Sequence, residues 1–197
     1  MPKLLLATNN TGKVREIQAM LDEIDVTLVT PKALALRIEV EEDGVTYAEN
    51  AAKKARIFAN ASGLMTLADD SGLEVEALAG APGLFSARYA PQPGATDADR
   101  RAYLLRQLQG LPHPWRARFQ CTVALATVTG EMYFAEGSCL GEIIPQERGR
   151  GGFGYDPIFL IPELGRTMAE LTMKEKNQVS HRAGAVKAVK PILLSLL

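Results

Sequence analysis

Carboxylates are the first residues in this chain whose grouping suggests chemistry. The stretch "LMTLADDSG" ends a mostly apolar run on Asp69 and Asp70, and "EVEEDG" gathers Glu41, Glu42 and Asp43. Two adjacent carboxylates at a strand end repel each other unless a cation or a donor offsets them. Magnesium suits that need, because it takes one or two protein carboxylates and lets phosphate oxygens and water complete its shell. Side chains alternate faces along a strand, so only one of Asp69 and Asp70 is expected to enter a site. Asp-Asp-Ser-Gly is also good turn chemistry, and three acids in a row also suit a solvated turn.

A phosphate-binding element lies upstream, in "LLLATNNTGKV". It nearly matches the P-loop, Gly, four residues, Gly-Lys, then Ser or Thr. Ala7 replaces the first glycine and Val14 replaces the hydroxyl that would ligate magnesium, so the metal ligands must come from elsewhere. Thr8, Asn9, Asn10, Thr11 and Gly12 can expose amides in a turn, the helix that follows favours an anion at its N-terminus, and Lys13 adds a full charge. A plain strand-to-helix turn is the other reading of the same residues.

Two further groups suit a purine base. "GGFGYDP" sets Phe153 and Tyr155 among glycines, with Gly154 between them and Asp156 after them. An aromatic ring there can stack on a base, and Asp156 can accept from a ring N–H or a ribose hydroxyl. "EKNQVSHRAG" places Lys176, Ser180, His181 and Arg182 at a helix entrance. Arginine reads purine O6 and N7 well, since both accept. Each group has a plainer reading: a glycine bend with core aromatics, and a helix cap with first-turn surface residues.

Periodicity supplies the elements that must hold these groups. Lys3–Ala7 reads as a short buried strand, and Val14, Ile17, Met20, Leu21 and Ile24 follow at helical spacing. Val26–Val29 reads as a second strand. Leu34, Leu36, Ile38 and Val40 alternate, which predicts an extended segment running to the acidic turn. Thr46 with Glu49 forms a capping-box pattern for an alanine-rich helix ended by Gly63. "LMTLADDSG" predicts a strand running into a turn. Thr96 caps another helix that stops before Gly110, two strands meet at Thr129-Gly130, and a last helix starts near Ser180.

Helices and strands alternate early and a hairpin intervenes later, which predicts an α/β fold with a mixed sheet flanked by helices. A formal net charge of −1 excludes a broad basic surface for nucleic acid, so any anion must be held locally. Cys121 and Cys139 give neither zinc spacing nor a disulfide framework. No apolar run approaches a membrane span, and Met1-Pro2-Lys3 leads directly into a strand, so a cytoplasmic protein is expected.

Five blocks together, "ATNNTGKVREI", "EEDGVTYAENAAKKA", "ADDSGLEVEALAGAPGLFSARYA", "GGFGYDPIF" and "AELTMKEKNQVSHRA", resemble the inosine triphosphate pyrophosphatase family, also called XTP/dITP diphosphatases. They occur in the family's order from Leu6 to about Ala185. The resemblance implies a single domain over residues 1–197, with an elongated mixed sheet and two lobes around a central substrate cleft. It implies magnesium-dependent hydrolysis of ITP, dITP and XTP to the monophosphate and pyrophosphate, usually by a homodimer, with no nucleic-acid or membrane partner. By position, Thr8 to Lys13 would bind triphosphate, Asp70 would be the general base, and Glu41 with Asp70 would hold magnesium. Ser71 would touch substrate. Phe153, Gly154, Tyr155, Asp156, Lys176, His181 and Arg182 would form the base pocket, and Lys54 would be a further phosphate or water-site lysine. Two rivals remain: a P-loop-like kinase or NTPase acting at the γ-phosphate, and a nucleotide sensor without turnover.

Overall fold

The computed structural model describes residues 1–197. Its elements in chain order are β1 (Lys3–Leu6), α1 (Thr11–Leu21), β2 (Thr27–Val29), α2 (Tyr47–Ser62), β3 (Met65–Val75), β4 (Pro82–Gly83), α3 (Asp97–Leu108), β5 (Trp115–Ala126), β6 (Met132–Ile143), β7 (Phe159–Ile161), β8 (Arg166–Thr167), α4 (Met173–Val179) and α5 (His181–Leu196). The strands form one mixed sheet in the order β2-β1-β3-β5-β6-β7-β8, with β4 beside β3. β1 pairs in parallel with β2 and β3, whereas β6, β7 and β8 pair antiparallel. The expected α/β class, a mixed sheet flanked by helices, is what the chain adopts.

The chain divides into two compact units. The first comprises Met1–Asp70, Cys121–Gly137 and His181–Leu197. Strand alternation builds its two apolar layers. Leu4, Leu6, Leu67, Cys121, Val123 and Leu125 pack with Ile17 and Leu21 of α1 and with Val186, Val189 and Leu193 of α5. The intervening residues Leu5, Ala7, Ala68, Ala124 and Ala126 pack with Ala51, Ala55, Phe58 and Ala59 of α2. Small residues on that second face let α2 approach closely. α5 also approaches β6 closely: a Cβ on Gly137 would lie 2.2 Å from the His181 carbonyl oxygen and 2.4 Å from the Ala185 nitrogen.

The second unit comprises Ser71–Gln120 and Ser138–Ser180. Its core gathers Leu73, Val75, Leu104, Leu108, Trp115, Phe119, Ile158, Phe159 and Met168, among others. Phe119 and Phe159 meet with ring centroids 4.5 Å apart.

Local signals mark the helix ends. Thr46 Oγ1 accepts from the Glu49 amide, and Gly63 closes α2 in the left-handed conformation at φ +66°. Thr96 and Asp99 form a reciprocal capping box on α3. Two expectations are corrected. Asp69-Asp70-Ser71-Gly72 is no turn, because β3 continues through it to Val75. Between Pro31 and Glu42 the chain forms only a short 3-10 turn over Lys32–Leu34 and no strand. The apolar alternation there still sorts side chains: Leu34, Leu36, Ile38 and Val40 pack against the α2 layer. No helix is long and apolar enough to cross a membrane.

Candidate active site

The first unit offers a crevice by topology. The chain leaves β1 for β2 on one side and returns to β3 on the other, which makes the carboxyl end of β1 a switch point. Leu6 pairs with Leu67, so Asp69 and Asp70 stand just past the end of β1, beside the turn that enters α1. In that turn Thr8 Oγ1 accepts from the Asn10 amide at 3.1 Å, and Asn10 Oδ1 accepts from the amides of Gly12 and Lys13 at 2.9 and 3.1 Å. The turn is therefore the N-cap of α1, with Asn9, Asn10 and Thr11 exposed. It presents Lys13 in the first turn of the helix.

β3 alternation then sends its two acids to different layers. Asp69 faces α1 and α5. Its Oδ2 lies 3.0 Å from Lys13 Nζ and 3.1 Å from Arg182 Nε, while its buried Oδ1 has no hydrogen-bond partner. Arg182 in turn donates through Nη1 to Glu16 Oε2 at 2.5 Å. Arg182 is 1% exposed and Glu16 2%, so this is a buried charge network rather than a surface pair. Burial alone would raise Asp69, but Lys13, Arg182 and Lys54 hold its carboxyl far below the usual carboxylate range. His181, the residue before Arg182, is buried at the start of α5.

Asp70 faces α2. Its Oδ1 accepts from Lys54 Nζ and its Oδ2 from Asn50 Nδ2, both at 3.2 Å. Asn50 and Lys54 are one helical turn apart, which puts both on the face that meets β3. Lys54 Nζ also lies 2.5 Å from Glu42 Oε1, so one ammonium bridges two carboxylates. The Gly44 amide donates to Asn50 Oδ1 at 2.8 Å and fixes the acidic segment against α2. Burial pushes Asp70 up; Lys54 opposes the rise and Glu42 adds to it. Burial would lower Lys54, but Asp70, Asp69 and Glu42 together raise it.

From the acidic run, the residue that an ion pair joins to this cluster is Glu42. Glu41 is exposed, while Glu42 is half-buried and paired with Lys54. The register follows from the preceding alternation: Leu36, Ile38 and Val40 turn inward, and Glu42 continues that series. Sequence spacing contained this signal, since counting inward from Val40 selects Glu42.

A second cluster forms within the second unit. Ser71, half-buried, continues β3 past Asp70. In the glycine loop, Asp156 Oδ2 accepts from the Phe153 amide at 2.9 Å and lies 2.5 Å from Lys176 Nζ. The Lys176 ammonium sits 5.0 Å from the Phe153 ring centroid, a cation–π contact. Gly152 holds φ +70°, and a Cβ there would come 1.9 Å from Asp156 Oδ2, so this close approach requires glycine. The buried Tyr155 hydroxyl donates to the Ser86 carbonyl at 2.9 Å. Two residues not expected here, Asp97 and Arg101 of α3, also bind the loop: the Gly154 amide donates to Asp97 Oδ2, and Arg101 Nη1 donates to the Gly154 carbonyl, each at 2.8 Å.

Most of the expected residues thus fall into two assemblies, while the contacts described above do not join Glu41, Ser71 or His181 to either. The first joins Thr8–Lys13, Lys54, Asp69, Asp70 and Arg182, with Glu16, Glu42 and Asn50 added by the structure. The second joins Phe153–Asp156 and Lys176. The first concentrates lysines and carboxylates at a helix N-terminus, which suits a phosphate and a divalent cation. The second offers an aromatic ring above a buried ammonium, which suits a planar base with acceptor oxygens.

Comparison with known proteins agrees with this chemistry. Residues 4–192 match the Ham1 family. The chain is 50% identical over 192 residues to the dITP/XTP pyrophosphatase of Desulforamulus reducens, covering 97% of this chain and 95% of that protein. It is 49% identical over 191 residues to the dITP/XTP pyrophosphatase of Geobacter sulfurreducens, covering 96% of each. Among solved structures, a HAM1 protein from Coxiella burnetii superposes with a TM-score of 0.88 at 39% identity, over 99% of this chain and 100% of that one. A Staphylococcus aureus Ham1 protein gives a TM-score of 0.86 at 36% identity, with 99% and 100% coverage. The chain belongs to the Ham1 family.

Proposed function

We propose that this chain hydrolyses deaminated purine nucleoside triphosphates, ITP, dITP and XTP, to the monophosphate and pyrophosphate, and so clears them before they enter DNA or RNA. The observation that carries the reading is the first assembly. Lys13 and Lys54 are each seated on a carboxylate of the Asp69-Asp70 pair, beside the N-terminus of α1. The names of the relatives supply the substrate class.

Magnesium fits the donor set. Asp70 and Glu42 are hard oxygen donors sharing one ammonium, and Glu42 adds to the cost of ionising Asp70, a repulsion that a divalent cation relieves. Asp70 and the acidic run would hold the ion, with Glu42 the acid that shares Lys54 with Asp70 and Glu41 the one the resemblance names. Bound there, magnesium would neutralise phosphate charge and lower the pKa of a coordinated water.

The protein's own groups then have defined tasks. Thr8 to Gly12 and Lys13 bind the triphosphate at the helix N-terminus. Asp70 orients a water toward the α-phosphorus and accepts its proton; the new P–O bond forms as the bond to the departing pyrophosphate breaks. Asn50 and Lys54 fix the Asp70 carboxylate, and Lys54 favours its ionised form. Asp69 holds Lys13 in place and is itself held by Arg182. In the second unit, Phe153 stacks on the base and Lys176 donates to the purine 6-oxo group, which adenine lacks. Ser71, Tyr155, Asp156, His181 and Arg182 complete the substrate contacts or their supports. A homodimer in the cytoplasm is part of the same proposal.

Product analysis tests it. The protein is incubated with ITP, XTP, dITP, GTP and ATP plus magnesium, and pyrophosphate and orthophosphate are assayed separately. Pyrophosphate with monophosphate, formed fastest from ITP, XTP and dITP, is expected. Orthophosphate without pyrophosphate would support γ-phosphate chemistry instead, and binding without product would support a sensor.

A further inference from the structure

We propose that Asp97 and Arg101 are positioning residues for base selection: from α3 they grip both sides of Gly154 and so fix the Phe153 ring over Lys176. The proposal rests on the assignment of the Phe153–Asp156 loop to base binding and deepens it.

The geometry is a two-point clamp on one residue. Asp97 and Arg101 stand one turn apart in α3 and so share a face. Asp97 Oδ2 accepts from the Gly154 amide at 2.8 Å, and Arg101 Nη1 donates to the Gly154 carbonyl at 2.8 Å. Arg101 is itself held by a bidentate pair with Glu147, at 2.7 Å through Nε and 3.0 Å through Nη2. Asp97 is held by an ion pair with Arg100. These charged donors and acceptors make stronger hydrogen bonds than neutral ones.

The loop needs such a clamp. Phe153 lies between Gly152 at φ +70° and Gly154 at φ +61°, both in the left-handed region. Glycine is the residue with the widest choice of backbone angles, so a ring flanked by two has little intrinsic direction. On the Gly152 side Asp156 supplies the anchor, by taking the Phe153 amide and Lys176. On the Gly154 side α3 supplies it. With both anchors set, the ring keeps its 5.0 Å station over the ammonium before any ligand arrives. Preorganisation of this kind appears in binding and discrimination rather than in the chemical step.

Five variants test the clamp: Asp97→Ala, Arg101→Met, the double variant of these two, Arg101→Lys and Phe153→Ala, each with melting temperature, KM and kcat for dITP, and the dITP-to-dATP ratio of kcat/KM. Asp97→Ala and Arg101→Met are expected to raise KM for dITP about ten-fold and lower the ratio, with kcat changed less than about two-fold. Arg101→Lys keeps one charged donor and should restore most of the loss. The Asp97→Ala/Arg101→Met double variant should fall short of the product of the single effects, because both act on one residue. A drop in melting temperature with KM and the ratio unchanged would overturn the proposal in favour of a purely structural tie, and so would a fall in kcat at constant KM. If Phe153→Ala leaves KM and the ratio unchanged, the base-loop assignment itself fails. If Phe153→Ala shifts them and the α3 variants do not, only the clamp fails.

Discussion

Asp69 and Asp70 are neighbours on β3, yet their carboxyl groups shift in opposite directions: Asp69 is held far below its ordinary value and Asp70 is pushed above it. The pleat of the strand is the cause. Asp69 turns toward Lys13 and Arg182, where cations outweigh burial, while Asp70 turns toward α2, where burial and Glu42 outweigh Lys54.

Substituting each by asparagine should therefore give different defects. Asp69→Asn removes the charge that offsets buried Lys13 and Arg182, and a loss of about 3–5 kcal/mol of stability is expected on breaking such a pair. Asp70→Asn should lower kcat by about 10²-fold or more while nucleotide still binds. Its stability without magnesium should not fall, because a carboxyl whose folded pKa is raised opposes folding in its ionised form. Urea midpoints and single-turnover rates separate the two outcomes, and near-normal turnover of Asp70→Asn would remove Asp70 from the role of base.

Glu42 and Glu41 make a second contrast. Glu42→Gln should raise the magnesium concentration for half-maximal rate by about ten-fold, within the range seen when groups around a metal are altered. Glu41→Gln should shift it less, as its side chain is exposed. The opposite ranking in a magnesium titration would return the metal role to Glu41.

Acid should loosen α4 through Glu175. Hydrogen bonds from Arg166, then from the Thr172 amide and hydroxyl, hold this carboxyl at about 2, against 4.5 unperturbed. A depressed carboxyl stabilises the fold above its unfolded value, and that contribution is lost as pH falls from 4.5 through about 2. The stability gap between the wild type and Glu175→Gln should close over that window, as followed by acid unfolding; a gap constant with pH would refute the linkage.

Both thiols should be inert in the folded protein. Burial pushes Cys121 up to about 12, with Asp69 adding to the rise, and pushes Cys139 up to about 11. A disulfide-exchange reagent at pH about 8 should label neither before denaturant is added and both afterwards. Rapid labelling of the native protein would contradict this environment.

How much of this was legible in the sequence depended on the range of the forces involved. The ends of α2 and α3 were readable because Thr46, Gly63 and Thr96 act on backbone groups within a few residues. The run Asp69-Asp70-Ser71-Gly72 misled because turn preference is weak beside the pairing of β3 in the sheet and the cations that offset both acids. The alternation from Leu34 to Val40 was readable as burial but not as a strand, since it gains its contacts by packing on α2. Arg182 gave no local hint of its anchors: Glu16 and Asp69 lie 166 and 113 residues away in the chain. The grip of Asp97 on Gly154 spans 57 residues and was hidden for the same reason.

Gly137 has a bearing on how this protein can change over time. A missing carbon there lets the backbone of α5 rest on β6, and the same first turn of α5 carries Arg182 to Asp69. Any mutation that adds a side chain at Gly137 would meet main-chain atoms that have nowhere to go. A charge partner of the candidate phosphate lysine is thus under the control of a site with no chemistry of its own. In a saturation library selected for function, Gly137 should tolerate fewer replacements than most of the polar residues it helps to place.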